Sequence, residues 1–190
     1  DGQEPRAAHV PVPALERALR LLLALARSPD ALTLAELSGA IGVSRSTVYS
    51  LLATLQDYGF VEKDPRHKTY RLGIASIELG SAYLSKVDLV QSFDEVAKRL
   101  VARCSETVKL AVLDGRDVVY LGRQQGLHSV QLVARVGSRM PAHATAVGKV
   151  LLAALDDGEI AQLYAGQQLR ALAPNTAADL PALLDRVAQA

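Results

Sequence analysis

Between Ser44 and Ser50 the chain sets one guanidinium, Arg45, among the hydroxyls of Ser44, Ser46, Thr47, Tyr49 and Ser50. That set suits hydrogen bonding to phosphate oxygens and to base edges. Ser44 and Ser46 fit backbone positioning, while Arg45 and Tyr49 have the reach for phosphates or bases. A second set, Lys63, Arg66, His67 and Lys68, gathers around Asp64-Pro65 and offers positive charge to a polyanion. A third stretch, G-S-R-M-P-A-H-A-T-A-V-G-K at Gly137–Lys149, holds His143 among small residues. Small side chains let a ligand approach the backbone, and the open N–H groups at a helix start attract a carboxylate. Plain packing of a strand-to-helix turn is the alternative there.

Covalent and metal chemistry find no matching pattern. Gly148-Lys149 invites a phosphate-loop reading, but His143 stands where that loop needs glycine. Val150 stands where a hydroxyl should hold magnesium. His143, Thr145, Lys149 and Cys104 lack the spacing of a nucleophile, base and orienting group. Cys104 is the only cysteine, so there is no internal disulfide, and no Cys/His set has zinc spacing. We expect neither cofactor nor metal, no enzymatic activity, and a cytoplasmic protein.

These groups need elements to hold them. Thr33 with Glu36 reads as a capping box opening a helix that carries Leu34, Leu37, Ala40 and Ile41, and Gly42 sits at a left-handed exit. Ser44 caps a second helix whose apolar stripe is Val48, Leu51, Leu52 and Leu55, leaving Arg45, Ser46, Tyr49 and Ser50 on the other face. Two helices with a glycine-containing turn form the helix-turn-helix pattern, in which the second helix enters the major groove. Thr33, beside the first helix's free N–H groups, is a further phosphate candidate, and Arg17 a weaker one. Phe60-Val61 and Tyr70–Leu72 read as the arms of a hairpin tipped by Lys63, Arg66, His67 and Lys68. A basic hairpin after such helices reads as a wing.

Around this lie a flexible arm, 1–12, and a helix over Pro13–Arg27 with Leu15, Leu19, Leu22 and Ala26 facing inward. A connecting helix spans Ile74–Lys86, with Ile74, Ile77, Leu84 and Val87 as its apolar candidates, and another spans Leu89–Arg103. That second helix has Leu89, Phe93, Val96, Leu100 and Cys104 as its buried stripe. From Thr107 the period becomes that of strands, with a hairpin turn at Asp114-Gly115, a return strand at Val118–Leu121 and a third strand at Val130–Val136. Gly137–Lys149 is expected as a loop entering a helix that reaches Leu155, with further helices near Gly158–Tyr164 and Leu180–Ala190.

Bulk composition neither demands nor excludes this reading. The net charge is +1, and 49% of residues are hydrophobic, as in a globular chain. Up to Leu72 there are 9 Lys/Arg against 8 Asp/Glu, so a case for DNA rests on placement of charge rather than its sum. No uncharged apolar run reaches membrane-spanning length.

Two stretches together resemble the IclR family of bacterial transcription regulators. One is Leu15–Leu72, with A-L-E-R-A-L-R-L-L, T-L-A-E-L, G-V-S-R-S-T-V-Y-S-L-L-A-T-L, G-F-V and Y-R-L-G; the other is Gly137–Ala153. The resemblance implies an α+β chain with a winged helix-turn-helix at 13–72, a linker helix at 73–87 and an effector-binding domain at 88–190. Family members run on further, so that domain is expected to be truncated at its C-terminal end. The resemblance implies a dimer or tetramer on a near-palindromic DNA operator, repressing or activating under control of a small metabolite, often an organic acid. Within that frame the residues read above as DNA contacts are Thr33, Ser44, Arg45, Ser46, Thr47, Tyr49, Ser50, Lys63, Arg66 and Lys68. Ala146 and Val147 would face the effector, with Leu132 and Met140 as apolar walls and His143, Ala144, Thr145 and Gly148 completing the site. A winged-helix scaffold without effector and, more remotely, a small-molecule hydrolase are the alternatives.

Overall fold

The structure is a computed structural model, and it describes residues 12–127, 135–173 and 176–190. The chain divides into two compact units, the first running to Tyr83 and the second starting at Leu84. Both are α+β.

The first unit opens with α1 (Pro13–Arg27), then β1 (Leu32–Thr33), α2 (Leu34–Ile41) and α3 (Arg45–Asp57). The hairpin β2 (Val61–Asp64) and β3 (Thr69–Leu72) follows, and then α4 (Ala75–Leu84). The Thr33/Glu36 capping box is present, and Gly42 leaves α2 with φ 72°. That dihedral suits glycine, which has no Cβ to clash. The core is Leu21, Leu25, Leu37, Ile41, Val48, Leu52, Val61 and Tyr70. Each fully buried leucine is worth roughly 1.5–3 kcal/mol relative to exposure, which makes this cluster the support on which α3 is aimed.

Two expectations for this unit need correction. On α1 the buried residues are Leu21 and Leu25, while Leu15 is 57% and Leu19 51% exposed. The helix carries leucine at 19, 21, 22, 23 and 25, so its apolar arc is wider than one stripe, and contact with α2 and α3 selects the Leu21–Leu25 edge. On α4 no residue is buried, and Ile74 and Ile77 are exposed. The structure also adds β1, which pairs antiparallel with β3 through Leu32↔Tyr70 and Thr33↔Thr69. A pair of residues carries no readable period, so nothing in the sequence marks it.

The second unit contains α5 (Asp88–Cys104), β4 (Val108–Asp114), β5 (Asp117–Gln124) and β6 (Arg139–Pro141). A 3-10 turn at Ala142–Ala144, α6 (Ala146–Leu152), α7 (Asp157–Tyr164) and α8 (Leu180–Val187) follow. The described strands run β4-β5-β6, all antiparallel, with a register shift between Leu110 and Ala111. Gly115, with φ 59°, makes the tight β4–β5 turn. Val118, Tyr120, Ala142, Leu152, Ile160, Tyr164, Ala177, Leu183 and Val187 form the core, between the sheet and α6–α8.

The stripe expected on α5 is rotated. Leu89, Val96 and Leu100 are 43–51% exposed, and Cys104 is exposed, so it is not a core thiol. The inward residues are Val90, Phe93, Ala97 and Val101, with Ala97 fully buried. The small side chain of Ala97 and the bare Gly122, against which Phe93 lies, let the helix settle on the sheet along that line. Residues 130–134 of the expected third strand lie outside the described residues, and Arg135 and Val136 are not strand. The described third strand is Arg139–Pro141, inside the stretch expected as a loop. Its backbone finds partners on β5, with Asp117↔Pro141 and Val119↔Arg139, which a Gly- and Pro-containing sequence does not announce.

Candidate functional site

The polar face of α3 is set by its buried one. Val48 and Leu52 have no exposed surface, so the helix cannot roll, and Arg45, Ser46, Tyr49 and Ser50 are turned outward. Ser44 caps the helix, its Oγ accepting from the Thr47 amide at 3.3 Å. The same Oγ lies 2.9 Å from both Ser46 Oγ and Thr47 Oγ1, a hydroxyl cluster over the first turn. Ser50 donates to the Ser46 carbonyl at 3.2 Å, which leaves its lone pairs rather than its proton outward. The Arg45 side chain makes no hydrogen bond or ion pair with a described residue, and Tyr49 is 57% exposed. A cation and a phenol thus stand open beside a capped helix start, whose amides already favour anions.

Thr33 is differently placed. Its hydroxyl accepts from the Glu36 amide at 3.3 Å and donates to Glu36 Oε2 at 2.8 Å, and the same carboxylate oxygen takes the Thr33 amide at 2.7 Å. These donors hold the Glu36 carboxyl below its usual range. An anion at the start of α2 would meet that carboxylate.

The hairpin tip is organised by Asp64. Its Oδ1 accepts from the Arg66 amide at 2.7 Å and the His67 amide at 3.2 Å, and its Oδ2 lies 2.7 Å from His67 Nδ1. The imidazole and the two amides lower the Asp64 carboxyl, and the carboxylate in turn raises His67. Lys68 closes the turn with φ 56°, its amide donating to the Asp64 carbonyl at 2.9 Å. Arg66, His67 and Lys68 are all exposed, and Lys63 Nζ sits 5.6 Å from the centroid of its register partner Tyr70. Farther down, Arg71 is matched by Glu62, with Nη2 at 2.8 Å and Nε at 3.0 Å from Oε2. The unmatched positive charge is therefore at the tip. The turn expected at D-P-R-H is thus built on Asp64, whose side chain bonds to amides further along it.

In the second unit the small-residue stretch forms one tight bend. Thr145 caps α6, accepting from the Gly148 amide at 3.0 Å. A Cβ on Gly148 would fall 2.2 Å from the Ala142 carbonyl oxygen, so the position admits hydrogen alone. His143 is buried, with Nε2 3.1 Å from the Arg170 carbonyl and its ring edge-on to Tyr164 at 6.1 Å. Burial raises the Tyr164 hydroxyl's pKa, with the His143 backbone beside it pulling the other way. Ala146 is exposed, Ala144 half-buried, and Val147 packs on the core. Met140 is 39% exposed on β6, opposite Val118. Leu132 lies outside the described residues. Thus Ala142–Gly148 come together around α6, whereas Met140 stands on the neighbouring strand.

Among the described residues there is no group of His, Cys, Asp and Glu that could hold a metal ion, and no helix long and apolar enough to cross a membrane.

Comparison with known proteins bears on both units. Residues 14–65 match the family described as IclR helix-turn-helix domain, and residues 81–190 match bacterial transcriptional regulator IclR C-terminal. The HTH-type transcriptional regulator XynR of Escherichia coli is 35% identical over 178 residues, 94% of this chain and 71% of the relative. The HTH-type transcriptional repressor AllR of Salmonella paratyphi A is 33% identical over 189 residues, 100% of this chain and 70% of the relative. An IclR homolog from Microbacterium hydrocarbonoxydans, solved in complex with 4-hydroxybenzoate, superposes with TM-score 0.76 at 27% identity, covering 93% of this chain and 72% of that one.

Proposed function

Because this chain belongs to the IclR family of bacterial transcriptional regulators, which bind DNA through the helix-turn-helix domain and small-molecule effectors through the C-terminal one, we propose how its own residues divide that work. Residues 13–72 form the DNA-reading domain, 73–87 the linker and 88–190 the effector domain, with 1–12 as an arm. Arg45, Tyr49, Ser44, Ser46, Thr47 and Ser50 meet the major groove, and Lys63, Arg66 and Lys68 meet phosphates beside it. Thr33 takes a supporting place, since its hydroxyl is engaged with Glu36. The observation that carries this reading is the outward face of α3: an open guanidinium and phenol next to a capped helix start.

The protein acts in the cytoplasm as a repressor, on a near-palindromic operator, as a homodimer or homotetramer. Leu15, Leu19 and Leu23, spaced four apart on α1 and 51–57% exposed, support burial against a second copy. The effector is a small organic acid held at Ala144–Gly148, with Met140, His143 and Leu132 around it. The open amides at the start of α6 favour a carboxylate, and the Microbacterium relative's 4-hydroxybenzoate is one. Its binding shifts the balance between arrangements of the two reading heads that do and do not fit the operator. Neither the scaffold nor the hydrolase reading is favoured, the relatives being named as regulators and repressors.

The test is retardation of duplex DNA from upstream of the chain's own gene, over a salt series. Steeply weakening retardation with rising salt is expected, and absence of any retardation at low salt would defeat the proposal.

A further inference from the structure

Lys109 of β4 and Arg123 of β5 are register partners in the antiparallel ladder. Like charges set directly opposite on one sheet face repel, so a sequence that keeps both needs something else to hold them. Their face can be assigned. Lys109 is in phase with Ala111 and Leu113, which pack on the cluster containing Leu152, Ile160 and Tyr164. Lys109 Nζ lies 5.6 Å from the ring centroid of Tyr120, another member of that cluster. The two cations therefore lie on the side of the sheet that carries α6.

Both side chains are half-buried, and the Arg123 Nε is wholly buried without a hydrogen-bond partner among the described residues. Neither makes an ion pair within 4.0 Å with a described carboxylate. The stretches of this unit outside the description, residues 128–134 and 174–175, contain no Asp or Glu. Burial, and secondarily the neighbouring Arg123, lower the pKa of Lys109. A buried N–H of a guanidinium left unpaired is costly, and a carboxylate presented to the planar fork of arginine satisfies it with two parallel bonds.

We propose that Lys109 and Arg123 together seat the carboxylate of a small organic acid, on the sheet face shared with α6 and its Thr145–Gly148 turn. The inference rests on the effector reading above and adds side-chain cations to it. Arg123 supplies the fork, Lys109 the second charge, and the Tyr120 ring the wall beneath. The incoming anion also relieves the repulsion between the two.

The test is thermal unfolding of the chain in sodium succinate and in sodium benzoate, each against sodium chloride at matched ionic strength. At about ten times Kd, an acid should raise the midpoint by roughly 3 °C or more in the unaltered protein. Lys109→Met and Arg123→Met should unfold no lower than the unaltered protein without acid, since each removes a like charge, and should lose the acid-dependent rise. Lys109→Arg should keep it. An unaltered protein indifferent to both acids, or methionine variants that respond as it does, would overturn the seat. Duplex retardation on the same samples separates the two failures. Retardation without any acid response sinks only the seat; no retardation sinks the reading on which it rests.

Discussion

Asp64 Oδ2 and His67 Nδ1 meet at 2.7 Å across the tip of the β2–β3 hairpin, where the carboxylate stands among the exposed Arg66, His67 and Lys68. The imidazole answers the carboxylate locally, so the negative charge is absorbed by the turn. Its own charge then depends on pH.

That dependence has a definite sign. His67 is raised above its ordinary 6.5, so its share in holding the turn is complete below that value and is lost as pH rises through the raised one. Asp64 is lowered below its ordinary 3.8, so its share is complete above that value and is lost as pH falls through the lowered one. Between the two the tip is most ordered, and it carries an imidazolium charge that it loses at higher pH. Duplex affinity is expected to be higher at about pH 6 than at about pH 8.5, and His67→Asn should flatten that profile. A His67→Asn protein with the original pH profile would show that the pair does not reach the DNA.

Arg45 has no partner to lose within the described protein, so Arg45→Ala should leave the unfolding midpoint unchanged. Operator affinity should fall by about 1–3 kcal/mol if the guanidinium contacts a base. Fluorescence anisotropy on a labelled duplex reads the second effect and calorimetry the first.

Lys68 holds φ 56° without being glycine. A left-handed residue with a Cβ costs roughly 1–2 kcal/mol. Lys68→Gly is therefore expected to stabilise the first unit while weakening DNA binding. The slope of affinity against salt should become shallower by about one counterion. A gain in stability with an unchanged slope would remove Lys68 from the phosphate contacts.

At Gly148 the missing side chain is a spatial requirement. Gly148→Ala should destabilise the second unit by about 1–3 kcal/mol, because the new methyl group has no room beside the Ala142 carbonyl. Thermal unfolding measures this directly, and an unchanged midpoint would mean that the bend opens freely.

What the sequence made legible was local. Thr33 with Glu36, and Gly42, announce their turns because each cap is completed within a few residues. The outward face of α3 was equally readable, since Val48 and Leu52 fix the inward one. The faces of α1 and α5 were not. Each helix has apolar residues on more than one side, and only the neighbour it meets decides between Leu21–Leu25 and Leu15–Leu19, or whether Phe93 is joined inward by Val90 and Ala97 or by Val96 and Leu100. The pairing of Arg139–Pro141 with β5 was not readable either, because it depends on a backbone partner twenty or more residues away.

The pairing of Thr33 with Thr69 joins the first residue before α2 to the returning strand of the hairpin. Helices and finger are thereby clasped into a single jaw rather than hung on separate hinges. Little freedom remains to be surrendered when a duplex arrives, so whatever tightness the contacts provide is kept rather than spent on ordering. Cutting that clasp, with every DNA-facing side chain left in place, should loosen the grip all the same.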